Sequence, residues 1–406
     1  MTDTRASRLH LASRMANIAP FEVMEIQTLA RRLEADGRDV IHLEIGEPDF
    51  ATPAPVVAAA KRALDAGPMF YTSALGIPAL REAISRFYRD RHRLAVPAER
   101  IVVTAGSSAA LLLVLGVLLD AGDEVLLADP GYPCNRHFVH ALGGQPRLVP
   151  VDSRSRYQLT PEVAEEAWTP RTRIAMVASP SNPTGTLLEA GEIAALAALA
   201  RERGGTLLVD EIYQGLTYGR DAPCALAAGD DVFVINSFSK YFQMTGWRLG
   251  WLVAPAGYVR EIEKLAQNLY ISPSTLAQHA ALAAFEPETI AILEQRRQEL
   301  QARRDYLVPA LRELGFHIGA RPEGAFYVYA ECSGLAADSF ALARSMLHEA
   351  GVAITPGKDF GFSAPERHIR IAYTQPVARL REAVARMGTF LGRGREPAIA
   401  PAAREA

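Results

Sequence analysis

The sequence predicts an α/β protein: a large domain around a mostly parallel central sheet, with a smaller α+β domain beside it. Three observations carry this. Between about residues 55 and 285, short β-branched runs alternate with Ala/Leu-rich helical stretches, the pattern of a parallel sheet covered on both faces. After Phe285 the pattern changes to a long charged helical run followed by shorter mixed elements. Hydrophobic residues make up 49% of the 406, ample for a large core. At roughly 150 residues per domain, that length suggests two or three domains.

Taken in order, Pro20 to Ala35 reads as an amphipathic helix ending near Gly37, and Val40 to Ile45 as a short strand before the turn-rich Gly46-Glu47-Pro48-Asp49. Strands are expected at Ile101–Thr104, Val125–Leu127, Ile174–Val177, Thr206–Val209, Val232–Ile235 and Leu249–Val253, with helices such as Ala109–Leu119 and Ala190–Arg203 between them. A helix over Thr289–Glu313, a strand over Ala325–Tyr329, a helix over Ser339–Ala350, a strand over His368–Tyr373 and a last helix over Val377–Leu391 complete the chain. The Ala/Pro/Arg-rich residues from Gly394 to Ala406 are expected to fray.

Composition excludes several classes. A net charge of -3 favours neither nucleic acid nor an anionic membrane. The cysteines Cys134, Cys224 and Cys332 are odd in number and far apart, so a disulfide framework or a zinc site is not expected and a reducing cytoplasm fits. The apolar run Ala109–Leu119 is shorter than the roughly 18–20 residues that span a bilayer, and the first residues hold no apolar signal-peptide core. His137 and His140 lack a third ligand and read as helix-surface residues; Glu165-Glu166 and Arg303-Arg304 read as solvated charges.

Five short segments carry candidate chemistry. Lys240, in Asn236-Ser237-Phe238-Ser239-Lys240, follows a strand and sits among apolar and hydroxyl neighbours, with Arg248 eight residues on. Such a lysine can form an imine with a carbonyl; equally, it can be a loop lysine reaching water. Asp210, at the end of Thr206–Val209, points into the crevice where parallel sheets bind ligands and needs a positive partner there, though Asp in that place also caps helices. Tyr213 lies three residues further on and can reach the same spot. Ser179-Pro180-Ser181-Asn182-Pro183-Thr184-Gly185 is a stiff loop that fixes the Asn182 amide, or an ordinary turn. Thr104-Ala105-Gly106-Ser107-Ser108 opens the Ala109 helix, where free N–H groups and the helix dipole suit a phosphate; simple serine capping is the plainer reading. Arg370, on the strand His368–Ala372, presents a rigid fork suited to a carboxylate, or is a surface arginine.

Together, and in this order, the phosphate turn, the SNPTG loop, D-x-x-Y, S-x-S-K with its later arginine, and the late arginine strand resemble the fold-type-I aminotransferases of class I/II, related to aspartate aminotransferase. The resemblance spans about residues 14 to 392. It implies pyridoxal 5'-phosphate held as an imine on Lys240. It also implies Asp210 against the pyridine nitrogen and Asn182 and Tyr213 on the ring phenolate oxygen. Gly106, Ser107, Ser108, Ser237 and Arg248 would hold the phosphate, and Tyr132 of Asp129-Pro130-Gly131-Tyr132-Pro133 would stack on the ring. The substrate α-carboxylate would meet Arg370, helped by Asn182 and the backbone of Gly46. The family's shared-site homodimer implies that Tyr71 reaches the partner's phosphate. The family's domain split implies a large domain over residues 51–289 and a small domain formed by 1–50 plus 290–406.

The expected activity is amino transfer from an L-amino acid to a 2-oxo acid, with Lys240 moving the Cα proton in a ping-pong scheme. C–S lyases and related enzymes resemble the same site and differ in how substrate is positioned. A regulatory sensor with a fused DNA-binding domain is the non-enzymatic alternative; the roughly twenty residues before the first helix leave no room for one. No residue stands out as an extra arginine for an acidic side chain. Ser272-Pro273-Ser274-Thr275 offers hydroxyls, and Ile18 and Phe21 suggest an apolar lid, which points to a neutral or aromatic amino donor.

Overall fold

A computed structural model describes residues 11–393. Along the chain come α1 (Glu22–Ala35), β1 (Ile41–His42), α2 (Ala54–Asp65), α3 (Pro78–His92), β2 (Ile101–Thr104), α4 (Ser107–Leu118), β3 (Glu124–Asp129), α5 (Pro133–Ala141), β4 (Gln145–Pro150), α6 (Pro161–Ala167), β5 (Thr172–Ala178) and α7 (Ala190–Glu202). Then follow β6 (Thr206–Asp210), β7 (Phe233–Ser237), β8 (Gly250–Val253), α8 (Val259–Leu269), α9 (Thr275–Leu282), α10 (Pro287–Glu313), β9 (Tyr327–Glu331), α11 (Ser339–Ser345), β10 (Val352–Ala353), β11 (Thr355–Pro356), β12 (His368–Ala372) and α12 (Val377–Phe390).

The apolar strands of the middle region form a 7-stranded sheet in the order β2-β8-β7-β6-β5-β3-β4. Pairs within β7-β6-β5-β3-β4 are parallel, and β8 runs antiparallel to both β7 and β2. Burial on both faces explains why β2, β7 and β8 read as continuous apolar runs rather than alternating ones. The N- and C-terminal segments build two smaller sheets: β1 pairs in parallel with β10, and β11-β12-β9 is antiparallel. No helix of the described residues is long and apolar enough to cross a membrane.

Several elements differ from the sequence expectation. The strand expected over Val40–Ile45 is confined to Ile41–His42, because the carbonyls of Glu44 and Gly46 turn away to accept from Arg370 and Lys240. The strand expected at Ala325–Tyr329 begins at Tyr327. Ala325 has φ +55, outside extended geometry, and its carbonyl accepts from the hydroxyls of Tyr218 and Tyr373. β4, which carries Pro146 and Pro150, is an edge strand that no β-branched run in the sequence marks. The last turn expected of helix Ser339–Ala350 is a π-helix over Met346–Ala350. Gly394–Ala406 lies outside the described residues.

Arg303 and Arg304 are not solvated charges: they are 1% and 3% exposed. Arg303 bonds Asp49, Glu299 and the Thr374 carbonyl beneath the Phe50 ring. Arg304 bonds Asp305 and the Pro322 carbonyl above Tyr218. Buried guanidinium is tolerated because its donors are paired in this way. A local charge pair in sequence does not reveal Asp49, Thr374 or Pro322, which come from elsewhere along the chain.

Candidate active site

A cavity of about 330 Å³ opens at the carboxyl end of β6, where crevices of parallel sheets receive ligands. Its wall draws on α1, the 44–46 segment, the start of α4, Tyr132, Asn182, the end of β6, the loop carrying Lys240, β9, and the 359–370 region.

Asp210 ends β6 between Ala178 of β5 and Ile235 of β7. Its buried carboxylate accepts one hydrogen bond, from the Ile212 N–H at 3.1 Å. Burial pushes its pKa up to about 6. A carboxylate held this way, with no cation in contact, suits a ligand that brings a positive N–H. Lys240 lines the same wall. Its Nζ donates to the Gly46 carbonyl at 2.7 Å, and burial pulls its pKa down to about 8. A lysine so shifted gives up its proton far more readily than an exposed one, as a nucleophile or base requires.

Tyr213 meets Tyr327 hydroxyl to hydroxyl at 2.9 Å, and burial drives its phenol well above the ordinary range. Arg370 is 6% exposed. Its Nη1 donates to Asn182 Oδ1 at 3.0 Å and its Nη2 to the Glu44 carbonyl at 2.7 Å. The guanidinium centre lies 4.4 Å from the Tyr327 ring and 4.8 Å from that of Phe360, and its Nε is buried without a partner. Nη2 also reaches Thr355 Oγ1 at 3.4 Å, so two rings and three acceptors hold this fork rigidly in the wall.

The anion corner lies at the start of α4. Gly106 precedes that helix with φ +82, and no side chain caps the helix's free N–H groups. A Cβ on Gly106 would come 2.6 Å from Nη2 of Arg248, so glycine lets the guanidinium close on the turn. Ser107, Ser108 and Arg248 all line the cavity there. The donors present suit a phosphate. Tyr132, just before α5, presents its ring to the same space.

Not every expected residue lies on the wall. Ser237 is buried behind it, its hydroxyl accepting from the Ser239 N–H and donating to the Leu249 carbonyl; Ser239 takes the place on the wall. Tyr71 stands 81% exposed, outside the cavity. The hydroxyls of Ser272–Thr275 are spent on structure: Ser272 accepts from Thr72 N–H, Ser274 caps α9 and Thr275 bonds the Phe70 carbonyl. Phe21 lines the cavity and Ile18 does not.

Sequence reasoning missed Tyr327, Glu44, Asp359, Phe360, Met24 and Gln27, all on the wall. Tyr327 alone had a usable signal. The aromatic alternation Phe326-Tyr327-Val328-Tyr329 puts Tyr327 and Tyr329 on one face of β9, and Tyr329 pairs with Arg370 across the ladder. Among the described residues no group of three or more His, Cys, Asp or Glu could hold a metal ion.

Comparison with known proteins gives this site its context. The model of the family "Aminotransferase class I and II" matches residues 38–387. A valine–pyruvate aminotransferase of Mycobacterium tuberculosis is 39% identical over 394 residues, covering 96% of this chain and 99% of the relative. An aspartate/prephenate aminotransferase of Thermus thermophilus is 36% identical, covering 94% and 99%. A crystal structure of an aminotransferase from Mycobacterium tuberculosis superposes with TM-score 0.91 at 39% identity, covering 94% of this chain and 99% of that one.

Proposed function

The chain belongs to the class I and II aminotransferase family, and from that premise we propose that it moves the amino group of a neutral L-amino acid, apolar or aromatic, onto a 2-oxo acid, working as a homodimer. It is an aminotransferase, and its cofactor is pyridoxal 5'-phosphate. When bound, the cofactor supplies an aldehyde and a protonated, electron-withdrawing ring that makes the Cα–H bond of an amino acid acidic.

The chain's own residues supply the rest. Asp210 would hold the ring N–H, and Asn182 and Tyr213 the phenolate oxygen. Tyr132 would lie against the ring. Gly106, Ser107, Ser108 and Arg248 would form the phosphate corner, with Ser239 on the wall where Ser237 was expected, joined by Tyr71 from the partner subunit. Arg370 takes the substrate α-carboxylate with Asn182 and the Gly46 backbone. Lys240, as the free amine, would take up and hand back the proton of the substrate Cα. Residues 51–289 form the cofactor domain, and 1–50 with 290–406 the small domain. The place of work is the cytoplasm.

One observation carries the substrate class. The wall contributed by α1 and its neighbours includes Phe21, Val23, Met24 and Phe360, with Gln27 and Asp359 among them, the Asp359 carboxylate being taken up by the N–H groups of Glu22 and Val23. The valine–pyruvate activity named for the relative at 39% identity supports an apolar donor. Dimerisation is supported by the exposed Phe70, Tyr71, Leu269 and Ile271, large apolar side chains that a second copy would cover. The test is a screen of the twenty amino acids, following loss of the cofactor's absorbance band. Branched or aromatic amino acids should give the highest kcat/KM. Strong preference for aspartate or glutamate would overturn the assignment.

A further inference from the structure

We propose that His42 is a positioning residue for the active site: its ring holds the buried carboxylate of Glu44, and through Glu44 it fixes the carbonyls of Glu44 and Gly46 that orient Arg370 and Lys240. The inference rests on reading Arg370 as the fork for the substrate carboxylate.

Glu44 is fully buried. Its Oε1 lies 2.7 Å from Nδ1 of His42, while its Oε2 has no hydrogen-bond partner. A buried carboxylate with one bare oxygen persists only while a cation lies against it. The ring of His42 is that cation. Its hydrogen bond to Glu44 raises its pKa to about 9, and its other nitrogen faces Glu34 of α1 at 3.1 Å.

The backbone beside this pair does the orienting. The Glu44 carbonyl accepts from Arg370 Nη2 at 2.7 Å and from Thr355 Oγ1 at 3.1 Å. Two residues on, the Gly46 carbonyl accepts from Lys240 Nζ at 2.7 Å. The upstream end is pinned, since the Leu43 N–H donates to Ala353 and the Leu43 carbonyl accepts from Ala372. The downstream end has little slack, because a Cβ on Gly46 would collide with the Tyr327 hydroxyl. Without His42, a charged Glu44 is left unpaired in the interior, and solvating it requires this segment to swing outward. That movement takes both carbonyls away from Arg370 and Lys240 together.

The experiment compares His42→Leu with the double variant His42→Leu/Glu44→Gln, with Arg370→Lys run alongside. His42→Leu should raise KM for amino acids and for 2-oxo acids at least tenfold while kcat falls less. The double variant should regain most of that loss, because glutamine leaves no buried charge unpaired. A merely structural role would lower the melting temperature without a KM-against-kcat split and without rescue, and would overturn the proposal. If His42→Leu does not fold, His42→Asn, which keeps a donor near the Nδ1 position, takes its place with the same expected order. If Arg370→Lys leaves KM unchanged, the fork reading fails. If Arg370→Lys raises KM for every substrate but the His42 variant stays within twofold of wild type, or Glu44→Gln adds damage, the His42 proposal alone is overturned.

Discussion

Lys240 donates from Nζ to the carbonyl oxygen of Gly46, 194 residues earlier, at 2.7 Å. The amine is thus aimed by a backbone acceptor and desolvated by the wall around it, and burial is the largest cause of its lowered pKa. Only the neutral amine attacks a carbonyl. Capture of cofactor by the apoenzyme should therefore speed up as pH rises through about 8 and then level off. Lys240→Ala should lose turnover by about 10²–10⁴-fold or more, the scale of a positioned acid–base group. Borohydride reduction of the holoenzyme followed by peptide mapping should place the label on Lys240; a label on Lys61, Lys264 or Lys358 would contradict the assignment.

Asp210 makes a stability prediction of opposite sign to its effect on function. Burial raises its folded pKa from 3.8 to about 6, so the charged form costs the apoenzyme stability. The cost is absent below about pH 4, where folded and unfolded forms are both protonated. It grows between there and pH 6, and is full above. At 1.36 kcal/mol per unit, the shift corresponds to about 3 kcal/mol, as an order of magnitude. Asp210→Asn should raise the melting temperature of the apoenzyme at pH 7, with the gain shrinking as pH falls from about 6 to about 4 and absent below. The same variant should bind cofactor more weakly and slow deuterium exchange at the substrate Cα. Full exchange rates would sink the proposed role.

Asp359 caps α1 across the chain. Its two carboxylate oxygens accept from the N–H groups of Glu22 and Val23 at 2.7 and 2.8 Å, where the local residue Phe21 offers no side-chain cap. Asp359→Ala should destabilise the fold by about 1–2 kcal/mol, the usual effect of losing an N-cap. Because α1 carries Phe21, Val23, Met24 and Gln27 into the cavity wall, the variant should also discriminate less between substrate side chains. Urea titration checks the first effect. Ratios of kcat/KM across apolar amino acids check the second, and unchanged ratios would mean that α1 does not read the side chain.

The homodimer proposal is tested by complementation. Lys240→Ala and a disruptive Tyr71→Arg are each purified inactive, then unfolded together and refolded. A heterodimer has one site with both defects and one with neither, so activity absent from either batch should return. Differently tagged chains establish that heterodimers form. If they form and no activity returns, Tyr71 does not serve the partner's site.

Much of the site was legible because its parts are local. The Gly106-Ser107-Ser108 turn, Asn182, Asp210 with Tyr213, and Lys240 each follow a strand of the central sheet, and such strand ends converge on one crevice by topology. Ser237 and Ser239 show the limit of that logic. Both belong to the lysine motif, yet only packing decides which hydroxyl faces the cavity and which turns inward to bond Leu249 and Ser239.

By itself the sequence determined the family, the alternation of strands and helices behind the central sheet apart from its edge strand β4, and the identities of the chemical groups, because motif spacing and apolar periodicity are properties of neighbouring residues. Only the tertiary structure decided how those groups are held. Arg303 and Arg304 became buried once Asp49, Glu299, Asp305 and two carbonyls came within reach. Helix α1 took its cap from residue 359, and Arg370 took its orientation from Asn182, Glu44 and two aromatic rings. Apart from Glu299 and Asp305, each of these partners is distant along the chain. Pairing at such separation is set by which buried polar groups must find one another when the core closes, and no local pattern records it.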